Sequence, residues 1–210
     1  MNVVKNDRKT YVDVYFTKID SGISAAPVFP KERDDEINAV SNERVRLEKY
    51  TAWRLLEYAL SKSLGMSLLD AELYKEESGK WRSPHLELSI SHSGSLAAVV
   101  ISHSPVGIDV EPLTKSLSDN FAKKNLTENE LVEYDALRES HKKEYLLTRW
   151  CIKEAVFKKT GGIIFFPSKI DSTKEKFVTN RFTLGTDEYA CAVAGSFDEV
   201  SPVFRLVEKL

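Results

Sequence analysis

The stretch that decides the fold runs Leu96-Ala-Ala-Val-Val-Ile-Ser-His-Ser-Pro-Val-Gly-Ile-Asp-Val-Glu111. Its first six residues are wholly apolar, which is typical of a strand buried on both faces. Pro105 breaks the run, and residues 106–110 predict a second strand. Because side chains alternate along a strand, Asp109 and Glu111 are expected to share one face, opposite Ile108 and Val110.

Helix and strand patterns alternate along the rest of the chain. Apolar spacings predict helices at 42–64, ending at Gly65, and at 142–160, and a capping box of Thr127 and Glu130 predicts a helix toward residue 137. Alternation predicts strands at 11–16, 86–90, 177–184, 188–194 and 203–207. The sequence therefore predicts an α+β fold.

The two halves of the chain resemble each other at an offset of 97 residues, which places Trp53 on Trp150 and Glu57 on Glu154. We interpret this as two similar α/β halves, residues 1–104 and 105–210, packed around a shared site. The alternative is two unrelated segments that share generic amphipathic helix spacing.

Composition excludes several classes. With 30 Lys and Arg against 32 Asp and Glu, the net charge of −2 argues against a general nucleic-acid binder. Cys151 and Cys191 lie in apolar settings and predict buried free thiols in a reducing compartment. Residues 1–8 lack an apolar leader, and no apolar run could span a bilayer. We therefore expect a cytoplasmic protein without a membrane partner.

Three groups of residues could support chemistry. Asp109 and Glu111 would suit Mg²⁺, although a solvated acidic strand face is the commoner reading of such a pair alone. Glu154 and Lys158 form an i,i+4 pair within the apolar stripe of a helix. Such a pair indicates either a functional site or a structural ion pair. Ser91-His92-Ser93 could surround a phosphate, and Ser102-His103-Ser104 repeats the same tripeptide.

Taken together, the motifs resemble those of the 4′-phosphopantetheinyl transferases, in particular the Sfp-type branch. The resemblance lies in Gly79-Lys80, Ile90-Ser91-His92-Ser93, Val106-Gly-Ile-Asp-Val-Glu111 and Trp150-x-x-Lys-Glu-Ala-x-x-x-Lys158. It implies two similar halves related by a pseudo-twofold axis, in a monomer. It also implies transfer of the phosphopantetheine arm of coenzyme A to a serine of an apo carrier protein, which releases 3′,5′-ADP.

The resemblance also implies roles for individual residues. Asp109, Glu111 and Glu154 would hold Mg²⁺, with Mn²⁺ as an alternative metal. Glu154, directly or through a water, would accept the proton of the carrier serine, and Lys158 would neutralise or protonate the leaving phosphate. Four residues would contact coenzyme A: Arg54, Lys80, Ser91 and His92. For the 3′-phosphate, Arg54 is preferred over Arg44 and Lys49.

Two other functions remain open from the sequence. A degenerate relative could bind coenzyme A or a carrier protein without catalysis. A metal-dependent phosphodiesterase could use the same carboxylates on coenzyme A without a carrier. The three carboxylates and Lys158 favour the transferase, because an unused buried charged site is costly.

Overall fold

The computed structural model describes residues 10–19 and 29–210. Its elements are, in chain order, β1 (Val12–Lys18), α1 (Lys31–Asn38), α2 (Glu43–Leu64), β2 (Tyr74–Lys75), β3 (Trp81–Arg82), β4 (Glu87–Ser93), β5 (Leu96–Ser102), β6 (Val106–Pro112), α3 (Asp119–Asn125), α4 (Glu128–Asp135), α5 (Glu139–Thr160), two short 3-10 helices (Pro167–Lys169 and Ser172–Lys174), β7 (Phe177–Leu184), β8 (Asp187–Gly195) and β9 (Val203–Val207). The mixed α+β class predicted from the sequence is confirmed. The prediction about an absent leader at residues 1–8 lies outside the described residues.

The strands form two main sheets and a short hairpin. The first sheet has the order β4-β5-β1-β9, with β9 parallel to β1 and the other neighbours antiparallel. The second sheet is antiparallel with the order β6-β8-β7, and β2 pairs with β3 alone. The last strand of the chain thus completes the sheet of the first half.

Two long helices cover the outer faces of the sheets. Apolar side chains of α2 pack on the first sheet and those of α5 on the second, while a third cluster fills the space between the sheets. The β5 strand contributes Val99 to the cluster under α2 and Val100 to the cluster between the sheets. This burial of both faces explains its apolar sequence.

Local signals set the ends of the long helices. The side chain of Asn42 accepts a hydrogen bond from the Val45 amide at the start of α2, and Gly65 ends the helix with φ of 65°. Gly161 ends α5 in the same left-handed conformation. The predicted capping box of Thr127 and Glu130 is present at α4.

The two halves use one order of connections: a first strand, a long helix, then a hairpin whose second strand pairs with the first. Both boundaries of α2 precede those of α5 by 96 residues, one fewer than the offset chosen from the sequence. When α2 and α5 are aligned by their ends, Glu154 therefore corresponds to Tyr58 rather than to Glu57. The interpretation as a duplication stays a prediction.

Several short elements were not predicted from the sequence: α1, α3, the β2–β3 hairpin and the 3-10 helices. Among the described residues, no helix combines the length and the apolar character that crossing a bilayer requires.

Candidate active site

Asp109 and Glu111 lie on the face of β6 that is turned toward α5. Their cross-strand neighbours on β8 are Ala192 and Ala190, which pack against α5, whereas the apolar residues of β6 face the first sheet. Both carboxylate residues are buried, Asp109 with 4% and Glu111 with 7% of its surface exposed. The predicted alternation of the two faces is confirmed.

Asp109 is held by two donors on one of its oxygens. Lys158 Nζ donates to Oδ1 at 2.7 Å, and the Ser91 hydroxyl donates to the same atom at 2.9 Å. The second oxygen, Oδ2, is buried without a hydrogen-bond partner among the described residues. Burial raises the pKa of Asp109, although Lys158 opposes the shift. The free Oδ2 is therefore an acceptor that lacks the ligand a buried carboxylate oxygen needs.

The β4 strand is joined to β6 by a row of alternating serines. Ser89 accepts a hydrogen bond from the Ile108 amide at 3.1 Å, and Ser91 accepts from the Val110 amide at 3.4 Å. Because β4 and β6 are edge strands of different sheets, these hydroxyls replace part of a backbone ladder. The same row brings Ser91 to Asp109.

Glu111 is held at both oxygens. Ser93 of the serine row donates to Oε2 at 2.6 Å, and Lys115 Nζ contacts Oε1. From the sequence, Ser93 was considered only as part of a tripeptide that could surround a phosphate, and Lys115 was not considered. The alternation of Ser89, Ser91 and Ser93 in the sequence indicates that the three hydroxyls share one face of a strand. It does not indicate which strand lies beside that face.

Glu154 and Lys158 form the α5 side of the site. The ammonium of Lys158 lies 3.8 Å from Glu154 Oε2, farther than its 2.7 Å contact to Asp109. Burial raises the pKa of Glu154, and the carboxylates of Asp109 and Glu111 raise it further, whereas Lys158 opposes them. For Lys158, burial lowers the pKa, but Asp109 and Glu154 outweigh it, so the net direction is upward. The lysine therefore stays charged.

A cavity of about 240 Å³ opens beside Lys158, between the β2–β3 hairpin, β4 and the end of α5. Its wall includes Lys80, Trp81, Ser89 and Lys158. Lys80 Nζ donates to the Lys159 carbonyl at 2.8 Å, which caps an end carbonyl of α5. Burial, together with the nearby Arg82, lowers the pKa of Lys80 to about 8. Lys80 and Lys158 thus line one cavity.

His92 lies at the other end of the serine row. Its Nδ1 is 3.5 Å from Glu48 Oε2, and Glu48 also binds Arg44 Nε at 3.2 Å. Arg44 in turn donates to the Gly94 carbonyl at 3.3 Å. Burial lowers the pKa of His92, and nearby cations that include Lys158 lower it further, against the opposing effect of Glu48. The second Ser-His-Ser tripeptide, residues 102–104, lies elsewhere in the fold, and its His103 is hydrogen-bonded to the backbone of Tyr11.

Arg54 is not brought to the other predicted residues. It donates to Glu57 at 2.6 Å and lines a separate cavity with Ser61, Asp70 and Leu210. Of the basic residues considered from the sequence, Arg44 is the one in contact with the turn after His92.

Lys153, between Trp150 and Glu154 in the motif, faces away from the site. Its fully buried ammonium lies 2.6 Å from the fully buried Glu130 of α4 and donates to the carbonyls of Pro167 and Ile170. Glu130 also accepts from the Ser172 amide. Lys153 therefore fastens α4 and the 3-10 segment to α5.

The described residues contain no preformed cluster of three His, Cys, Asp or Glu side chains at metal-binding distances. The donor set of Asp109, Glu111 and Glu154 nevertheless fits a hard divalent ion, because all donors are carboxylate oxygens. Asp109 and Glu111 lie close enough to Glu154 to raise its pKa, and Asp109 Oδ2 is unpartnered among the described residues. The residues present thus fit Mg²⁺ or Mn²⁺.

Residues 105–194, which include β6 and all but the last residue of β8, match the sequence profile described as the 4′-phosphopantetheinyl transferase superfamily. This segment is similar to the 4′-phosphopantetheinyl transferase superfamily. It contains Asp109, Glu111, Glu154 and Lys158, whereas Lys80, Ser91 and His92 precede it. The resemblance drawn from the motifs is confirmed.

Individual relatives carry the same superfamily name or a related one. A holo-[acyl-carrier-protein] synthase of Mycoplasma genitalium is 41% identical over 63 residues, which cover 28% of this chain and 55% of that protein. Two 4′-phosphopantetheinyl transferases of Bacillus subtilis, ffp and Sfp, are each 28% identical over 54% of this chain and 51% of their own length. The chain spans about half the length of the curated relatives it matches.

The two cysteines predicted to be free thiols are confirmed as unpaired and buried. Cys151 packs between α5 and the second sheet, and Cys191 packs between the two sheets. Burial raises the pKa of both thiols, so neither is a ready nucleophile.

Proposed function

We propose that this protein transfers the 4′-phosphopantetheine arm of coenzyme A to a serine hydroxyl of an apo carrier protein and releases 3′,5′-ADP. The observation that carries the proposal is the contact between Lys158 and Asp109 beside Glu154, within the superfamily segment and at the wall of the cavity. The names of the relatives support the reaction class.

The carboxylates would hold the metal. Asp109, through its unpartnered Oδ2, and the nearby Glu111 and Glu154 would supply oxygen ligands. The bound Mg²⁺ or Mn²⁺ would neutralise charge on the pyrophosphate oxygens, which is the main requirement of phosphoryl transfer. The wall residues Lys80 and Ser89 would line the space for coenzyme A.

Glu154 would accept the proton of the carrier serine, directly or through a water. The serine oxygen forms a bond to the phosphorus that carries the pantetheine arm, and the bond from that phosphorus to the bridging oxygen breaks. The electron pair leaves with 3′,5′-ADP. A pKa raised by burial makes the Glu154 carboxylate a stronger base than an exposed glutamate.

Lys158 would stabilise the leaving phosphate by its charge. Its pKa is raised because the neighbouring carboxylates outweigh burial, so the ammonium gives up its proton less readily than an ordinary lysine. This favours charge neutralisation over proton donation. Its contacts to Asp109 and Ser91 would fix the ammonium at the cavity wall.

For the 3′-phosphate we favour Arg44 over Arg54. Arg44 shares Glu48 with His92 and contacts the Gly94 turn, whereas Arg54 lies in a different cavity with Glu57 as its partner. His92, with a lowered pKa, would act as a neutral hydrogen-bonding partner near physiological pH.

The test is incubation of the protein with coenzyme A, Mg²⁺ and a panel of apo carrier proteins, followed by intact mass spectrometry. We expect the mass of the phosphopantetheine arm on at least one carrier and none after its serine is changed to alanine. Binding of coenzyme A without transfer would instead indicate a non-catalytic relative. Hydrolysis of coenzyme A without a carrier would indicate a phosphodiesterase.

A further inference from the structure

Lys115 lies in the segment between β6 and α3, four residues after Glu111. Its backbone amide donates to the Pro112 carbonyl at 2.9 Å, which forms a turn, and the Leu113 amide donates to the Glu188 carbonyl at 2.8 Å. These bonds fold the segment so that the side chain returns to Glu111. The Lys115 ammonium contacts Glu111 Oε1 and lies 5.8 Å from the centre of the Trp150 ring.

The two strand carboxylates differ in how much of their binding capacity is used. Glu111 has Ser93 on one oxygen and Lys115 on the other, whereas Asp109 has both of its donors on Oδ1 and leaves Oδ2 free. The charge of Lys115 also reaches Glu154, whose pKa it lowers against the larger effect of burial. Lys115 is therefore a cation in the field of two carboxylates of the candidate metal site.

Lys115 differs from the structural lysine of α5 in its exposure. The side chain of Lys153 is fully buried and bonded on several sides, whereas 36% of the Lys115 side chain is exposed. The Lys115 ammonium can reach water when it leaves Glu111, whereas the Glu111 side chain, 10% exposed, then needs another cation in its place. Another cation can therefore replace the Lys115 ammonium at Glu111.

We propose that Lys115 is a built-in counter-cation that a divalent metal must displace from Glu111, and that it thereby weakens metal binding. The inference rests on the proposed function, because it takes Glu111 as a metal ligand. A divalent ion that binds Oε1 competes with Lys115 for the same atom. Lys115 then sets how much metal the site holds before a substrate brings its own phosphate oxygens.

The test is a titration of the purified protein with Mn²⁺ alone, in which the signal of free Mn²⁺ is followed by electron paramagnetic resonance. We expect Lys115→Met to tighten Mn²⁺ binding by about fivefold or more, since fivefold corresponds to an exposed ion pair and Glu111 is buried. Lys115→Arg, which keeps the charge, should bind Mn²⁺ nearly as wild type does. Lys124→Met is the matched control, since Lys124 lies on α3, is exposed and forms no ion pair within the described part of the chain.

A double-mutant cycle separates competition at Glu111 from a general effect of charge. In a Glu111→Gln background, Lys115→Met should change Mn²⁺ affinity much less, because only the longer-range effect of Lys115 on Glu154 remains. Unchanged, weaker or undetectable Mn²⁺ binding in K115M would overturn the inference, as would a tightening that is undiminished in the Gln background. The titration uses neither coenzyme A nor a carrier, so a failed transfer assay alone would refute the proposed function without deciding this result.

Discussion

A Cβ atom on Gly107 would lie 1.9 Å from the carbonyl oxygen of Ala155 and 2.5 Å from the Lys159 amide. The backbones of β6 and α5 therefore touch at Gly107, two residues before Asp109. This close approach lets Lys158 reach Asp109 at 2.7 Å. Glycine is required at this position for space, because no side chain fits between the two backbones.

Gly107→Ala should destabilise the protein by about 3 kcal/mol, since the added methyl group pushes backbone away from backbone. Urea unfolding measures the loss. The matched control is Gly185→Asn, because Gly185 has φ of 65° and open space around its missing Cβ. Asparagine tolerates the left-handed conformation, so the control should cost less than about 1 kcal/mol. Equal losses in both variants would contradict the packing argument.

Lys153→Met should destabilise the protein by about 3–5 kcal/mol, because it leaves the fully buried Glu130 without its partner charge. Thermal and urea unfolding give the value. Lys174→Met removes a similar pair with Asp171, but its lysine is 78% exposed, and it should change stability by less than about 0.5 kcal/mol. If the double variant K153M/E130Q loses as much unfolding free energy as the two single variants together, the two residues are not coupled.

The sequence predicts the central strands and the helix pair because their signals are local. The apolar run that became β5, the alternation around Asp109 and the i,i+4 spacing of Glu154 and Lys158 each depend on neighbours within one turn or one strand. The sequence does not predict α1 and α3 because they have few apolar residues in a periodic pattern. Their positions depend on packing against the rest of the fold.

The site's internal bonds could not be read from the sequence for a different reason. Ser91 was expected at the coenzyme A phosphates, yet in the structure its hydroxyl bonds to Asp109 and Lys158. That contact requires β4 to lie beside β6, a juxtaposition of two sheet edges that no local pattern encodes. The anchoring role of Lys153 likewise depends on a segment about 15 residues away folding back onto α5.

Affinity for coenzyme A should fall as the pH rises from 7 to 9, if Lys80 contacts a phosphate. Its pKa is lowered to about 8, so the ammonium loses its proton within this range and with it the attraction to an anion. His92 has a lowered pKa and Lys158 a raised one, so neither changes its charge there. Isothermal titration at several pH values measures the trend.

Two variants isolate the contribution of Lys80. Lys80→Arg stays charged throughout, so its affinity should not depend on pH between 7 and 9. Lys80→Met should bind more weakly at pH 7 and also show no trend. A decline with pH that persists in both variants would assign it to another group.

Glu154→Gln should lower kcat for transfer by roughly 100- to 10,000-fold, the usual contribution of a general base. The amide keeps the shape but cannot accept the serine proton. Glu144→Gln is the matched control, because Glu144 lies on the same helix, is 56% exposed and pairs with Arg181. Near wild-type turnover by E154Q, with unfolding unchanged, would refute the assignment of the base.

Arg44→Ala should weaken coenzyme A binding by about tenfold, the factor for one lost charge-assisted hydrogen bond, and should leave binding of 3′-dephospho-coenzyme A unchanged. The reason is that Arg44 lies beside His92 through Glu48, on the serine-row side of the site. Arg46→Ala removes an equal charge from the exposed start of α2 and should affect neither ligand. If Arg54→Ala instead produces the selective loss, the choice made from the sequence is right, and the cavity around Glu57 belongs to the coenzyme A site.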